Sequence, residues 1–273
     1  MNDISYRQIV TIGIPVYKDS PTEFELFSFD RCCKVLRKYT FSIITYKELD
    51  IQIYTDKLKE YRISYEIKYF DQIYFMEING YNQLMVSPFF YEAFSGFQYL
   101  LIYQLDAFVF SDKLLTWCEK GFDYIGSPWL NIKWINRKEI NRKLPFFTRS
   151  PFLFKLFKGK DGLVGNGGFS LRKIDSHIKF AKAYSVIFPS LQFNEDIFWG
   201  KYIAAKEISF KIPLLTEALS FSIENDPINA FTLLNYELPF GCHAPYKNEK
   251  NSWDIIFNKA GINTSQFLIS SGL

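Results

Sequence analysis

Y-L-L-I-Y-Q-L-D-A-F-V-F, residues 99–110, is the stretch on which the reading of this chain turns. It reads as one buried apolar strand carrying a single carboxylate, Asp106, near its C-terminal end. A charge there is costly unless it is paired, hydrogen-bonded or bound to a metal. In open α/β sheets, ligands gather beyond the carboxyl ends of the strands. Asp106 is therefore a candidate ligand for a divalent cation that carries a phosphate-bearing substrate. The competing reading is a strand-end aspartate that caps the following turn.

Outward from that strand, apolar periodicity predicts alternating elements. Residues 8–15 (Q-I-V-T-I-G-I-P) read as a first strand ended by proline. Residues 21–36 read as a helix with Phe24, Phe27, Cys32, Val35 and Leu36 on one face. Strands are expected at 41–45 and 65–70, with a helix at 55–62 between them. Ser87 and Pro88 fit the N-cap and first position of a helix running to about Phe94. Downstream, Asp112 is expected to cap a helix through Glu119, and Tyr124–Ile125 to begin another strand. This alternation implies an α/β fold with a doubly wound, mostly parallel sheet. Order returns after Gly165, with a strand at 168–172, a helix at 176–186 and another starting near Glu195. Residues 210–273 show no clean pattern.

Composition narrows the classes. With 48% hydrophobic and 22% charged residues the chain is globular, and 273 residues suffice for one large domain spanning 1–273. A net charge of +3 argues against general nucleic-acid binding. The start M-N-D-I-S-Y-R-Q lacks the apolar core of a secretory signal, and no apolar run is long enough to span a bilayer. Cys32, Cys33, Cys118 and Cys242 have no metal-ligand spacing, so reduced thiols in a cytoplasmic protein are expected. Residues 131–160 break the texture: nine Lys/Arg face one acid, Glu139, with six Trp and Phe side chains interleaved. That pattern fits a solvated insertion, a surface lying peripherally on anionic lipid at the inner face of the membrane, or a nucleic-acid patch.

Three further segments carry chemistry. G-N-G-G-F-S-L-R, residues 165–172, brings three glycines that let backbone approach a ligand. It lacks the Lys-Ser/Thr of a phosphate loop. It reads either as a tight turn or as a wall for donor and acceptor sugars, with Asn166, Gly167 and Gly168 at the ligand. N-E-D-I-F-W-G, residues 194–200, sets Glu195 and Asp196 at a helix start, as dipole complement or as a general base. Trp199, one turn on, is placed where a ring can face a sugar. His243, in the loop G-C-H-A, is either structural or a second ligand completing a site that Asp106 alone leaves short. His177, the other histidine, reads as an ordinary helix-surface residue.

As a set, Y-Q-L-D-A-F-V-F, D-Y-I-G-S-P-W, G-N-G-G-F-S-L-R, N-E-D-I-F-W-G and L-P-F-G-C-H-A resemble a bacterial family known as a domain of unknown function and regarded as glycosyltransferases. The resemblance runs from roughly residue 81 to 244. More distantly, the order is similar to the fringe and β-1,3-glycosyltransferase group of GT-A enzymes. That resemblance implies a single GT-A-like domain with a basic, aromatic insertion at about 131–160. It implies Asp106 and His243 as ligands of Mn²⁺ or Mg²⁺, and Asp196 as the catalytic base of an inverting reaction beside Glu195. It places Pro15, Val16, Tyr17 and Asn82 against the nucleotide, with Gln104 beside Asp106, and Trp129 with the glycine-rich segment on the acceptor side. Gln104 departs from the family's pattern, because an amide stands where the metal motif has its first acid.

The expected activity is transfer of a sugar from a nucleoside diphosphate donor, most simply a UDP-sugar, to a hydroxyl of a bacterial surface glycan, free or lipid-linked. Two alternatives stand beside it. A sugar nucleotidyltransferase would need more glycine after the first strand than G-I-P-V-Y-K-D offers. A catalytically silent glycan-binding protein would show no donor hydrolysis.

Overall fold

The computed structural model describes residues 6–130, 164–191 and 193–264. The basic, aromatic stretch at 131–160 and its expected roles lie outside the described residues.

The structure is mixed α/β with a central, mostly parallel sheet. Its six strands are β1 (Val10–Pro15), β2 (Thr40–Thr45), β3 (Tyr65–Tyr69), β4 (Tyr99–Tyr103), β6 (Tyr124–Ile125) and β7 (Phe169–Lys173), ordered β3-β2-β1-β4-β7-β6. The first four pair in parallel. β7 then runs antiparallel to both β4 and β6. A second, three-stranded sheet has the order β5-β9-β8, from β5 (Ala107–Val109), β8 (Ser222–Ile223) and β9 (Gly241–His243).

The stretch read as one strand is thus two. β4 belongs to the large sheet, β5 to the small one, and Gln104-Leu105-Asp106 turns between them. The Ala107 N–H donates to the Gln104 carbonyl at 2.8 Å and closes the turn. The apolar run is continuous because both strands are buried; no periodicity marks the change of sheet. The turn lifts Asp106 out of the core, so its side chain is 44% exposed.

Side chains alternate across the large sheet as a period of two requires. Leu101 and Tyr103 join Ile12, Ile14 and Phe29 on one face, while Leu100 and Ile102 join Ile44, Phe90 and Trp199 on the other. Phe29 sits on helix α1 (Glu23–Leu36), where Thr22 and Glu25 form a reciprocal capping box. The buried face of α1 includes Phe29 and Cys33 besides the expected Cys32 and Leu36. Helix α2 (Gln52–Glu60) starts three residues before its predicted position. Pro88 opens its helix as expected, although the Ser87 hydroxyl donates back to the Leu84 carbonyl rather than capping. Asp112 also does not cap: it accepts from the Tyr39 hydroxyl and pairs with Lys38. His177 is fully buried, against the rings of Tyr91 and Trp199, not on the surface. Among the described residues, no helix is long and apolar enough to cross a membrane.

Candidate active site

The carboxyl ends of β1 and β4 open on one edge of the sheet, and the turn after β4 brings Gln104 and Asp106 there. β9, paired antiparallel with β5, places His243 across from Ala107. The Ala244 N–H donates to the Asp106 carbonyl at 3.0 Å, which locks the two loops together. His243 Nε2 then lies 3.2 Å from Asp106 Oδ1 and 3.2 Å from Gln104 Oε1. On the other side of the ring, Nδ1 sits 3.1 Å from Glu224 Oε2, just past β8.

This geometry has an electrostatic consequence. Burial works against charge on His243, but Asp106 and Glu224 more than offset it and push the imidazole up to about 10. Burial likewise opposes ionisation of Asp106; His243 and the nearby Lys247 reverse that and hold its carboxyl below the ordinary value. Asp106 Oδ1 and Gln104 Oε1 thus converge on the protonated Nε2 of His243, the place where a bound cation would have to displace that proton. A cation held here would take Asp106, His243 and Gln104 as its protein ligands. Glu224 lies behind Nδ1, where carboxylates behind metal-bound histidines sit. Among the described residues, no cluster of three His, Cys, Asp or Glu side chains surrounds a common point. Diphosphate oxygens and water would have to complete the shell.

The glycine-rich segment packs on this trio because it has no side chains there. A Cβ on Gly168 would stand 2.0 Å from His243 Nε2, and one on Gly167 only 1.7 Å from Glu195 Oε1. The Gly168 carbonyl accepts from the Gln104 N–H at 2.8 Å. Asn166 adopts a left-handed φ of 56°, which asparagine tolerates. Its N–H donates to Asp196 Oδ2 at 3.1 Å, and its Oδ1 accepts from Trp129 Nε1 at 3.0 Å. Trp129 is half-buried, with its indole ring against Gly165. Burial raises the Asp196 carboxyl, opposed by two backbone donors and reinforced by Glu224. A partly solvated carboxylate with a raised pKa is suited to accept a proton.

Glu195 has a different place. It forms a buried ion pair with Arg172 at 2.9 Å, and Arg172 also donates to Ser170 and Tyr91. Burial works against the charge of Arg172, but Glu195 keeps it firmly protonated. Glu195 Oε1 is thereby committed to Arg172, holding the segment that presents Asp196. Trp199 is also corrected. Its ring is fully buried on a π-helical turn, its Nε1 donates to the Met85 carbonyl, and it stacks on Phe210. An indole among so many apolar neighbours serves the core and offers no face to a sugar.

A cavity of about 290 Å³ adjoins Gln104, lined by Pro15, Tyr17, Tyr81, Phe75, Met76 and Ile78 among others. Pro15, Tyr17 and Gln104 thus come together as expected. Val16 does not: its side chain is fully buried and its N–H is spent on the Ile44 carbonyl. Asn82 is likewise absent from this lining. It points the other way, accepting from the Glu195 N–H and donating to Asn194 Oδ1. Three residues of the site escaped the sequence reading. Tyr81 lines the cavity with a buried hydroxyl that has no hydrogen-bond partner among the described residues. Glu224 follows a strand too short for periodicity to reveal. Lys247, in the P-Y-K that follows His243, was the most visible, since a basic residue after a ligand loop is a simple phosphate signal.

The sequence profile described as "Protein of unknown function (DUF5672)" matches residues 64–243. No curated protein matches the chain. Solved structures share the fold at low identity. Galactosyltransferase LgtC, solved with donor and acceptor sugar analogues, superposes with a TM-score of 0.54 at 11% identity, covering 92% of this chain and 95% of that one. The core-mannan synthase CmsA/Ktr4 of Aspergillus fumigatus, solved in its Mn/GDP form, gives 0.50 at 8% identity over 72% and 71%. The bifunctional glycosyltransferase WbbM gives 0.52 at 12% identity, over 91% of this chain and 47% of that one. The α/β architecture is that of the GT-A glycosyltransferases.

Proposed function

The chain belongs to the DUF5672 family, and from that premise we propose that it is a GT-A glycosyltransferase. It moves a sugar from a nucleoside diphosphate donor, most simply a UDP-sugar, to an acceptor hydroxyl. The observation that carries this reading is the convergence of Asp106, Gln104 and His243 beside a nucleotide-sized cavity, with Asp196 presented nearby.

In this reading the base and ribose enter the cavity between Tyr17 and Tyr81. Asp106 and His243 would hold Mn²⁺ or Mg²⁺, with Gln104 as a neutral third contact; CmsA, which shares the fold, was solved with manganese and GDP. Such an ion, when bound, supplies Lewis-acid neutralisation of the departing diphosphate. Lys247, already close enough to lower the Asp106 carboxyl, adds a positive charge on the same side. Asp196 accepts the proton from the acceptor oxygen as that oxygen attacks the anomeric carbon, and the carbon–diphosphate bond breaks on the opposite face. The anomeric configuration inverts. Trp129 and the backbone of residues 166–168 line the acceptor approach. We take the acceptor to be a growing bacterial surface glycan, met in the cytoplasm at the membrane, on the strength of the motif resemblance and the basic, aromatic sequence at 131–160.

Donor hydrolysis tests the base. Asp196→Asn should lower turnover by about 10²–10⁴-fold while leaving nucleotide affinity largely intact. Equal loss of binding and turnover would remove Asp196 from this role. The anomeric configuration of the released sugar, followed by NMR, tests inversion separately.

A further inference from the structure

The helix Ile78–Val86 has two working faces. Ile78 and Tyr81, three residues apart, face the nucleotide-sized cavity. Asn79, Asn82 and Gln83 share the other face, at the i, i+3, i+4 spacing that aligns side chains along a helix. There they line a second cleft of about 370 Å³, whose far wall is Phe188, Phe193 and Asn194.

The chemistry of this cleft is specific. Among the described residues no charged side chain lines it, which disfavours phosphate, carboxylate or ammonium ligands. Its polar groups are carboxamides, each offering both a donor and an acceptor, as a hydroxyl-covered ligand requires. Asn79 and Gln83 are exposed, and their side chains make no hydrogen bond among the described residues. Phe193, 40% exposed, adds an aromatic edge against which the C–H face of a sugar ring packs. The volume is in the range of small-ligand sites.

The cleft is also tied to the reacting centre. Asn82 accepts from the Glu195 N–H and donates to Asn194 Oδ1, both at 3.2 Å. Asn194 is two residues before Asp196, and Glu195 is the next. We propose that this cleft binds a neutral stretch of the acceptor glycan, away from the hydroxyl that reacts, an assignment that rests on the transferase reading above. Asn79, Gln83 and Asn194 supply the hydrogen bonds and Phe193 the ring. Asn82 is the strut that holds the cleft in register with Asp196.

The test is a glycan array of neutral and acidic oligosaccharides, probed with the full chain in EDTA without nucleotide. Neutral members should bind under these conditions, and more tightly than acidic ones. The double variant Asn79→Ala/Gln83→Ala should weaken that binding about tenfold, for two lost hydrogen bonds. Both side chains are exposed on a helix surface, where alanine is well tolerated. No retained neutral glycan, a preference for acidic ones, or unchanged affinity in the double variant would each overturn the assignment. Donor hydrolysis by the unmodified chain, measured without glycan, tests the transferase reading on its own. Glycan binding without hydrolysis would leave the cleft standing and remove the enzyme.

Discussion

Asp106, Asp196 and Glu195 are three carboxylates with three environments, and the environments assign their work. Asp106 is half-exposed beside a cationic imidazole, Asp196 is partly buried on two backbone donors, and Glu195 is locked to Arg172. Residue type alone made all three eligible; depth of burial is set by tertiary packing, so the sequence could not rank them. Trp199 failed for the same reason. Helical spacing put it one turn beyond Asp196, but it could not say which side of that turn meets the core. The raised pKa of Asp196 gives a signed prediction. A base works only when deprotonated, so kcat/KM should fall as pH drops through the Asp196 pKa, at a pH above that of an ordinary aspartate. A pH–rate profile checks this, and in Asp196→Asn the acid limb should vanish from what activity remains. At Gly168, a methyl group would press on His243 Nε2. Gly168→Ala should therefore fold and yet lose most of its Mn²⁺ affinity, read by electron paramagnetic resonance.

At the scale of elements, the parallel half of the sheet was legible because β1, β2 and β4 are buried apolar runs, and β3 alternates in Y-E-I-K-Y, with helices between them. Boundaries moved where side-chain partners decided them, as at Asp112, which serves Tyr39 and Lys38. The small sheet was not legible. Its strands are two or three residues long, below the length at which alternation carries information. Yet this sheet builds half of the site, since β5, β9 and β8 bring Asp106, His243 and Glu224 into one row. Toward a bound ion, Glu224 acts through the ring beside it. Glu224→Gln should keep the fold and cost about 10–100-fold in Mn²⁺ affinity. Titration of the ion by calorimetry checks this, and unchanged affinity would reduce Glu224 to a packing residue.

At the scale of the molecule, the site lies where the two sheets part. β4 ends, the chain turns through Gln104-Leu105-Asp106, and β5 begins in the other sheet. That seam opens the cavity, exposes the carboxylate and sets the glycine-rich segment against the histidine. Motif order anticipated the assembly, as Asp106, residues 165–168, Asp196 and His243 come together from across more than half the chain. The division of residues 99–110 between sheets was hidden, because the buried apolar residues on both sides of the turn read as one strand with Gln104 and Asp106 inside it. Nucleotide binding tests the whole account most directly. UDP should raise the melting temperature of the chain in Mn²⁺, and the rise should disappear in EDTA and in Asp106→Ala. A shift that persists in both would contradict the metal-held diphosphate, and no shift with UDP, GDP, CDP or CMP would contradict the transferase itself.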